Sequence, residues 1–70
     1  MTLSMLAELI GANVRKARES KGLTLEALAV RSDIQATAIS RLESGKQSPT
    51  IRTLHRIATA LECAVSDLIP

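Results

Sequence analysis

The stretch that decides the fold is TLEALAVRSDIQATAISRLES, residues 24–44. The hydroxyl of Thr24 can accept a free backbone N–H of the next turn, so a short helix is predicted from Leu25 to about Ser32. Asp33 lies in the turn that follows, and aspartate tolerates a left-handed backbone better than most residues. Apolar residues then return at helical spacing and predict a second short helix from about Gln35 to Ser44.

Two short helices joined by a turn of about three residues must cross steeply rather than lie side by side. A steep crossing needs a small residue where the helices touch, and Ala29 meets that need. It also needs apolar residues after the turn and midway along the second helix, which are Ile34, Ile39 and Leu42. The spacing of residues 24–44 therefore predicts a helical pair with one face free of packing.

The free face of the second helix carries mostly short side chains. Its residues are Gln35, Ala36, Thr37, Ser40, Arg41 and Ser44. Short side chains let a helix approach the edges of bases closely, and arginine can make a bidentate contact to guanine. This pattern favours double-stranded DNA as the partner, but any small helical hairpin with a polar outer face would show it too.

Around this pair the sequence predicts three further helical segments and no strand, and thus an all-α, compact five-helix bundle forming a single domain over residues 1–70. The first helix runs from about Ser4 to Lys21 and ends at Gly22. A fourth follows its cap at Thr50, and a last short helical turn lies around Val65 to Ile69. The apolar positions assigned to these segments are Leu6, Ile10, Val14, Ala17, Ile51, Leu54, Ile57, Ala58, Leu61, Val65 and Leu68.

Composition narrows the class of protein. A chain of 70 residues without Phe, Tyr or Trp must build its core from Leu, Ile, Val, Ala and Met. Its single Cys63 excludes an internal disulfide, which fits a reducing cytoplasm. No apolar run is long enough to span a bilayer, and the first eight residues lack the pattern of a secretory signal. We therefore expect a cytoplasmic protein without a membrane partner.

Charge is distributed unevenly along the chain. All nine Lys and Arg residues lie between Arg15 and Arg56, a stretch that nets +5, whereas the flanks net −3. A basic middle is compatible with a surface that binds a polyanion. An ordinary solvated helical surface would explain the same distribution, so charge alone does not decide between the two.

The run KGLTLEALAVRSDIQATAISRLESGKQSPTIRTLHRIATAL, residues 21–61, resembles the Cro/CI-type (XRE) helix-turn-helix domain of phage repressors and bacterial regulators. The resemblance covers about residues 10–69, which would be the core of the domain, with the helix-turn-helix motif at residues 25–44. It implies a lambda-repressor-like bundle whose third helix enters the major groove. It further implies a sequence-specific transcriptional regulator that binds a palindromic operator as a homodimer. A repressor is favoured, but the sequence does not decide between an activator and a repressor.

The same resemblance assigns site residues. The positions that face bases are Ala36, Thr37, Ser40 and Arg41. The positions that hold the phosphate backbone are Thr24, Leu25, Gln35, Ser44 and Lys46. Arg18 and Glu43 match a structural ion pair of the family that ties the first helix to the end of the recognition helix.

Three residues depart from the family pattern. Leu25 stands where the family usually has a glutamine that binds a phosphate, Asp33 replaces the glycine of the turn, and Ala64 replaces a capping Ser or Thr. A leucine side chain cannot hydrogen-bond to a phosphate, although backbone N–H groups at that helix start still can. We therefore expect a normal fold with an altered phosphate contact at Leu25.

Other chemistry finds little support in the sequence. The lone His55 has no second ligand at metal-binding spacing, Cys63 is expected to be a small buried residue, and no acid–base constellation indicates an enzyme. No cofactor, metal or small-molecule ligand is indicated. The absence of aromatic residues argues against single-stranded nucleic acid, whose bases usually stack on aromatic rings. The alternative is a protein-interaction module that keeps the bundle without binding an operator.

Two apolar surfaces are candidates for the homodimer. One lies at the last helix and comprises Val65, Leu68 and Ile69. The other lies at the N-terminus and comprises Leu3, Met5, Leu6 and Leu9. The sequence does not choose between them.

Overall fold

The computed structural model describes residues 1–70, and all of its regular secondary structure is helical. The elements are α1 (Leu3–Ser20), α2 (Leu25–Ser32), α3 (Ala36–Glu43), α4 (Ile51–Leu61) and a 3₁₀ turn at Val65–Asp67. The predicted all-helical fold is confirmed, and the bounds of α2 are those predicted from the sequence. The ends of α1 and α3 differ by one residue from the prediction.

Three of the four α-helices begin at a threonine that caps the first turn. The hydroxyls of Thr2, Thr24 and Thr50 accept the N–H groups of Met5, Ala27 and Thr53 at 3.1, 3.0 and 3.1 Å. Each bond satisfies one of the backbone donors that a helix start leaves unpaired, and replacing such a cap by alanine typically costs about 1 kcal/mol. The caps predicted at Thr24 and Thr50 are confirmed.

Left-handed residues end two of the helices. Asp33, with φ of 58°, follows α2 and turns the chain toward α3. The turn predicted at Asp33 is therefore confirmed, and this aspartate adopts the left-handed backbone that its residue type tolerates. Glu62, also with φ of 58°, ends α4 in the same way.

The core contains one fully excluded aliphatic side chain from each α-helix. Val14, Leu28, Ile39 and Ile57 are each 0% exposed, and they pack into one cluster of ten buried apolar residues. Burial of one such side chain stabilises the fold by about 1.5–3 kcal/mol. This shared cluster fixes the four helices relative to one another.

The predicted fifth helix is wrong. The chain forms only a 3₁₀ turn there, with Asp67 N–H donating to the Ala64 carbonyl at 3.0 Å and Leu68 N–H to the Val65 carbonyl at 2.9 Å. The Leu68 carbonyl accepts the Asn13 side-chain amide of α1 at 3.0 Å, which ties this turn to the first helix. The bundle therefore has four α-helices, and the buried Leu68 covers one end of the core.

One apolar position of α4 also differs from the prediction. Ile51 was assigned to the apolar stripe of this helix but is 71% exposed, whereas Leu54, Ile57, Ala58 and Leu61 are buried. Ile51 is the first residue of α4 and precedes the part of the helix that reaches the core. Helical spacing identifies a face of a helix but not where along that face burial begins.

α3 is supported from two sides. α3 packs mainly against α1 and α2, whereas α4 packs mainly against α2. The outer face of α3 is thereby left open. No helix of the chain combines the length and the apolar character that crossing a bilayer requires.

Candidate nucleic-acid interface

The outward face of α3 is polar and lies opposite its two core residues. Ile39 and Leu42 are buried, and the half-buried Ala36 and Ala38 flank them. The exposed positions of α3 and its caps are Gln35, Thr37, Ser40, Arg41 and Ser44. The last four of these recur at intervals of three, one and three residues, which places them on one helical face.

The Arg41 guanidinium is free to bind a partner. It is exposed and takes part in none of the side-chain hydrogen bonds or ion pairs of the chain. The side chains of Thr37 and Ser40 on the same face are likewise without internal hydrogen bonds, and Ala36 adds only a half-buried methyl group. This face can therefore present a guanidinium and two hydroxyls to a partner without breaking any internal contact.

The ends of α3 differ in what they offer. Gln35 is the N-cap of α3 and makes no side-chain cap bond, so its exposed amide is available. Ser44 has already committed both of its donors, because its hydroxyl donates to the Arg41 carbonyl at 3.0 Å and its N–H to the Ser40 carbonyl at 3.1 Å. Lys46, in the loop that follows, is exposed and unpaired.

The start of α2 offers backbone rather than side-chain donors. The Leu25 side chain is half-buried and packs against the core, so it faces away from a partner on this side. The N–H groups of Leu25 and Glu26 have no acceptor within the chain, as is usual in the first turn of a helix. The Thr24 hydroxyl oxygen accepts from Ala27, and its proton remains available.

Most of the cationic side chains are unpaired. Arg15, Arg18 and Lys21 lie 3.3, 2.7 and 4.0 Å from Glu19, Glu43 and Glu62, respectively. The six Lys and Arg residues without an ion pair are Lys16, Arg31, Arg41, Lys46, Arg52 and Arg56. This excess of free positive charge favours an anionic partner.

The Arg18–Glu43 pair joins α1 to the end of α3. Arg18 Nε donates to Glu43 Oε2 at 2.7 Å, and its Nη2 to Oε1 at 3.0 Å. Its Nη1 also donates to the Leu23 carbonyl at 2.8 Å, in the loop before α2. The hydrogen bond to Glu43 raises the pKa of Arg18, against the opposing effect of desolvation. One guanidinium thus connects α1, the following loop and the last residue of α3.

The sequence places His55 beside Arg52 and Arg56 on α4, at a surface or phosphate-adjacent position, but the two arginines are not among the predicted DNA-contacting residues. Both are exposed with His55 on α4, a helix that carries no acidic residue. Charge pattern alone would have identified this cationic face.

No group of three or more His, Cys, Asp or Glu side chains is arranged to hold a metal ion. Burial raises the pKa of the half-buried Cys63 thiol, which lowers its reactivity at neutral pH.

Comparison with known proteins identifies the family of the chain. Residues 14–68 match the protein-family model described as helix-turn-helix, and the chain belongs to that family. The chain is a transcriptional regulator that binds double-stranded DNA sequence-specifically.

Three relatives illustrate the similarity. An uncharacterized HTH-type transcriptional regulator, y4dJ of Sinorhizobium fredii, is 36% identical over 64 residues, which cover 91% of this chain and 83% of the relative. The HTH-type transcriptional repressor RghR of Bacillus subtilis is 36% identical over 63 residues, 89% of this chain and 47% of its own length. The crystal structure of the restriction-modification controller protein C.AhdI from Aeromonas hydrophila has a TM-score of 0.88 at 27% identity, covering 90% of this chain and 96% of that one.

Proposed function

We propose that α3 is the recognition helix and that it reads base edges in the major groove. The single observation that carries this proposal is the exposed Arg41 guanidinium, which shares one face with Thr37 and Ser40 and has no partner within the chain. An arginine in this position can donate two hydrogen bonds to a guanine, and the hydroxyls can contact either kind of base pair. Ala36 would supply an apolar contact near the start of the helix.

Phosphate contacts would then orient α3 in the groove. Lys46 and Gln35 have free side-chain donors on either end of α3, and Thr24 retains its hydroxyl proton. At Leu25 the contact would come from the backbone N–H, since the side chain packs against the core. Ser44 would contribute only if its bond to the Arg41 carbonyl were exchanged for one to phosphate.

We further propose that the protein is a repressor that acts as a homodimer on a palindromic operator. α3 has 8 residues and therefore a length of only about 12 Å, which suffices for one half-site. Two copies with their recognition helices about 34–36 Å apart would read two half-sites in successive major grooves. The similarity to a relative described as a repressor supports the direction of regulation.

The dimer surface is proposed to lie on the N-terminal half of α1. Of the two surfaces predicted from the sequence, the one at the last turn loses Leu68 to the core. Met5 and Leu9 are exposed one turn apart on α1, and Asn13 continues the same line. Because Asn13 binds the Leu68 carbonyl, Ile69 lies next to this line and extends the apolar surface.

Analytical ultracentrifugation of Leu9→Asp would test this surface. A charge at its centre should convert a dimer to a monomer, because the desolvation of an unpaired carboxylate opposes association. Val30→Asp is the matched control, since Val30 is also an aliphatic residue and is more exposed, but lies on α2. Dimers that persist in Leu9→Asp but dissociate in Val30→Asp would move the interface to α2.

Selection of bound sites from random duplex DNA tests the function as a whole. A palindromic consensus would support the dimer, and its half-site spacing would report the distance between the two copies of α3. The logarithm of affinity should fall linearly with the logarithm of salt concentration. A chain that binds no duplex even at low salt would instead be a protein-interaction module that retains the bundle.

A further inference from the structure

We propose that Gly11 is a positioning residue for DNA recognition. Because it has no side chain, α1 can pack closely against the end of α3, and this packing sets the position of α3 that base contacts require. This inference rests on the proposed function of α3 as the recognition helix. It adds a buried residue of α1, outside the proposed DNA-contacting positions, that controls how selectively those positions bind. α1 and the end of α3 approach each other closely at two points.

The first approach is at Gly11 itself. This buried glycine lies in the middle of α1, and a Cβ placed on it would overlap the Leu42 carbonyl oxygen and lie 2.8 Å from the Glu43 carbonyl oxygen. Both atoms belong to the backbone of the last turn of α3. No side-chain rotation can relieve such an overlap, so α3 itself would have to move away from α1.

The second approach lies one turn earlier on α1. Gly45 follows the C-cap of α3, and a Cβ on it would lie 2.7 Å from Glu8 Cγ and 3.0 Å from Glu8 Cα. Glu8 and Gly11 are three residues apart, so they present the same face of α1 to the chain as it leaves α3. α1 therefore contacts the end of α3 along a continuous stretch rather than at one point.

The Arg18–Glu43 ion pair stabilises the close contact between α1 and the end of α3 that Gly11 and Gly45 allow. Arg18, two turns after Gly11, binds the Glu43 carboxylate at 2.7 Å. The attraction pulls the end of α3 toward α1, and the absent side chain at Gly11 sets how near it can come. Arg41 precedes Leu42 by one residue, so any displacement of this last turn displaces the proposed base-reading guanidinium as well.

Displacement should affect specific binding more than nonspecific binding. A bidentate contact to a base requires donor–acceptor distances near 3 Å and nearly linear geometry. A lysine on a flexible stem can follow a phosphate over a wider range. A shift of α3 should therefore weaken binding to the selected site while leaving electrostatic binding to random duplex nearly unchanged.

The test compares Gly11→Ala and Gly45→Ala with Gly22→Ala. Gly45 and Gly22 have similar left-handed backbones, with φ of +77° and +70°, so alanine introduces similar strain at both. A Cβ at Gly22 would meet nothing within 4 Å, so that variant carries the strain without the contact to α1. The measured quantity is the ratio of the dissociation constants for random duplex and for the site that the unsubstituted protein selects.

We expect Gly11→Ala and Gly45→Ala to lower this ratio about tenfold, the effect of roughly one mismatched base pair. Gly22→Ala should leave it within about twofold of the starting value. Partial unfolding reduces the active fraction for both DNAs equally and leaves the ratio unchanged, so loss of stability alone cannot mimic the result. Circular dichroism in the presence of a stabilising osmolyte verifies that each variant is folded.

If Gly11→Ala does not fold, the comparison of Gly45→Ala with Gly22→Ala decides. Glu8 Cγ can rotate away from a Cβ at Gly45, so this variant is expected to fold, but the backbone Cα of Glu8 at 3.0 Å still requires the end of α3 to shift. An unchanged ratio in the folded variants that contact α1, or an equal fall in Gly22→Ala, would overturn the inference. A protein that selects no site from random duplex would instead overturn the proposed function. The two failures are therefore distinguishable.

Discussion

Arg18 and Glu43 form a two-point ion pair between α1 and the last residue of α3, with side chains only 11% and 7% exposed. Burial of both charges means that neither regains full hydration if the other is removed. Such a pair contributes less to net stability than its geometry suggests, but breaking it leaves an uncompensated charge. Its main consequence is that the orientation of α3 is tied to α1.

Glu43→Ala should lower the free energy of unfolding by about 3–5 kcal/mol, because the Arg18 guanidinium would stay buried without its partner. Urea denaturation measures this loss. Glu19→Ala is the matched control, since Glu19 pairs with Arg15 on the same helix but both side chains are largely exposed. That control should change stability by less than about 1 kcal/mol. Equal losses in the two variants would mean that burial of the Arg18–Glu43 pair has no energetic effect.

The contribution of Arg18 should not vary from neutral to mildly alkaline pH. Its pKa is raised in the folded state, chiefly by the hydrogen bond to Glu43. A group whose pKa is raised on folding contributes its full stabilisation below the unfolded pKa and loses it only as pH rises through the folded value. For an arginine both values lie far above neutrality. Urea denaturation of the unsubstituted protein and of Glu43→Ala at several pH values should therefore show a constant difference, and a difference that shrinks toward alkaline pH would contradict this assignment.

Arg41→Ala should cost about 1–3 kcal/mol of binding and relax the preference at one base pair, if Arg41 reads a guanine as proposed. Repeating the selection from random duplex with this variant shows which position loses information. Lys46→Ala provides the contrast, because loss of a phosphate contact should weaken all sequences alike and reduce the salt slope by about 1. A uniform loss in Arg41→Ala would place that residue on phosphate instead.

Leu25→Gln tests the contact that departs from the family pattern. Both Leu25→Gln and Leu25→Ala lose the packing of a half-buried leucine against the core, but only glutamine adds an amide that can reach a phosphate. We therefore expect Leu25→Gln to bind duplex DNA more tightly than Leu25→Ala at equal folded fraction. Filter binding or fluorescence anisotropy at low salt measures the difference. Equal affinities would indicate that the start of α2 lies away from the phosphate backbone.

Local signals predicted most of the fold. The bounds of α2, the caps at Thr24 and Thr50 and the left-handed Asp33 depend on hydrogen bonds and backbone sterics within a few residues, and those are readable from residue type. The free face of α3 was likewise predicted, because helical spacing alone separates Ile39 and Leu42 from the polar positions.

Two predictions at the ends of helical segments are wrong. The last segment is predicted as a helix but forms only a 3₁₀ turn, whose Leu68 carbonyl accepts from Asn13, 55 residues away. Ile51 was placed on the apolar stripe, yet it precedes the part of α4 that reaches the core. Helical periodicity predicts which face of a segment is apolar, but it predicts neither how long the segment stays helical nor where along that face the core begins.

The sequence by itself determined the ends of the first three helices to within one residue, the start of α4 and the face of α3 that has no packing role, since capping, turn sterics and helical periodicity are local properties. Only the tertiary structure decided how near α1 comes to the end of α3. That distance depends on Gly11 meeting the carbonyl oxygens of Leu42 and Glu43, residues more than 30 positions away along the chain. The distance between two helices that are far apart in sequence depends on how all the buried side chains of the core pack together. The residue pattern of a single helix therefore cannot predict it.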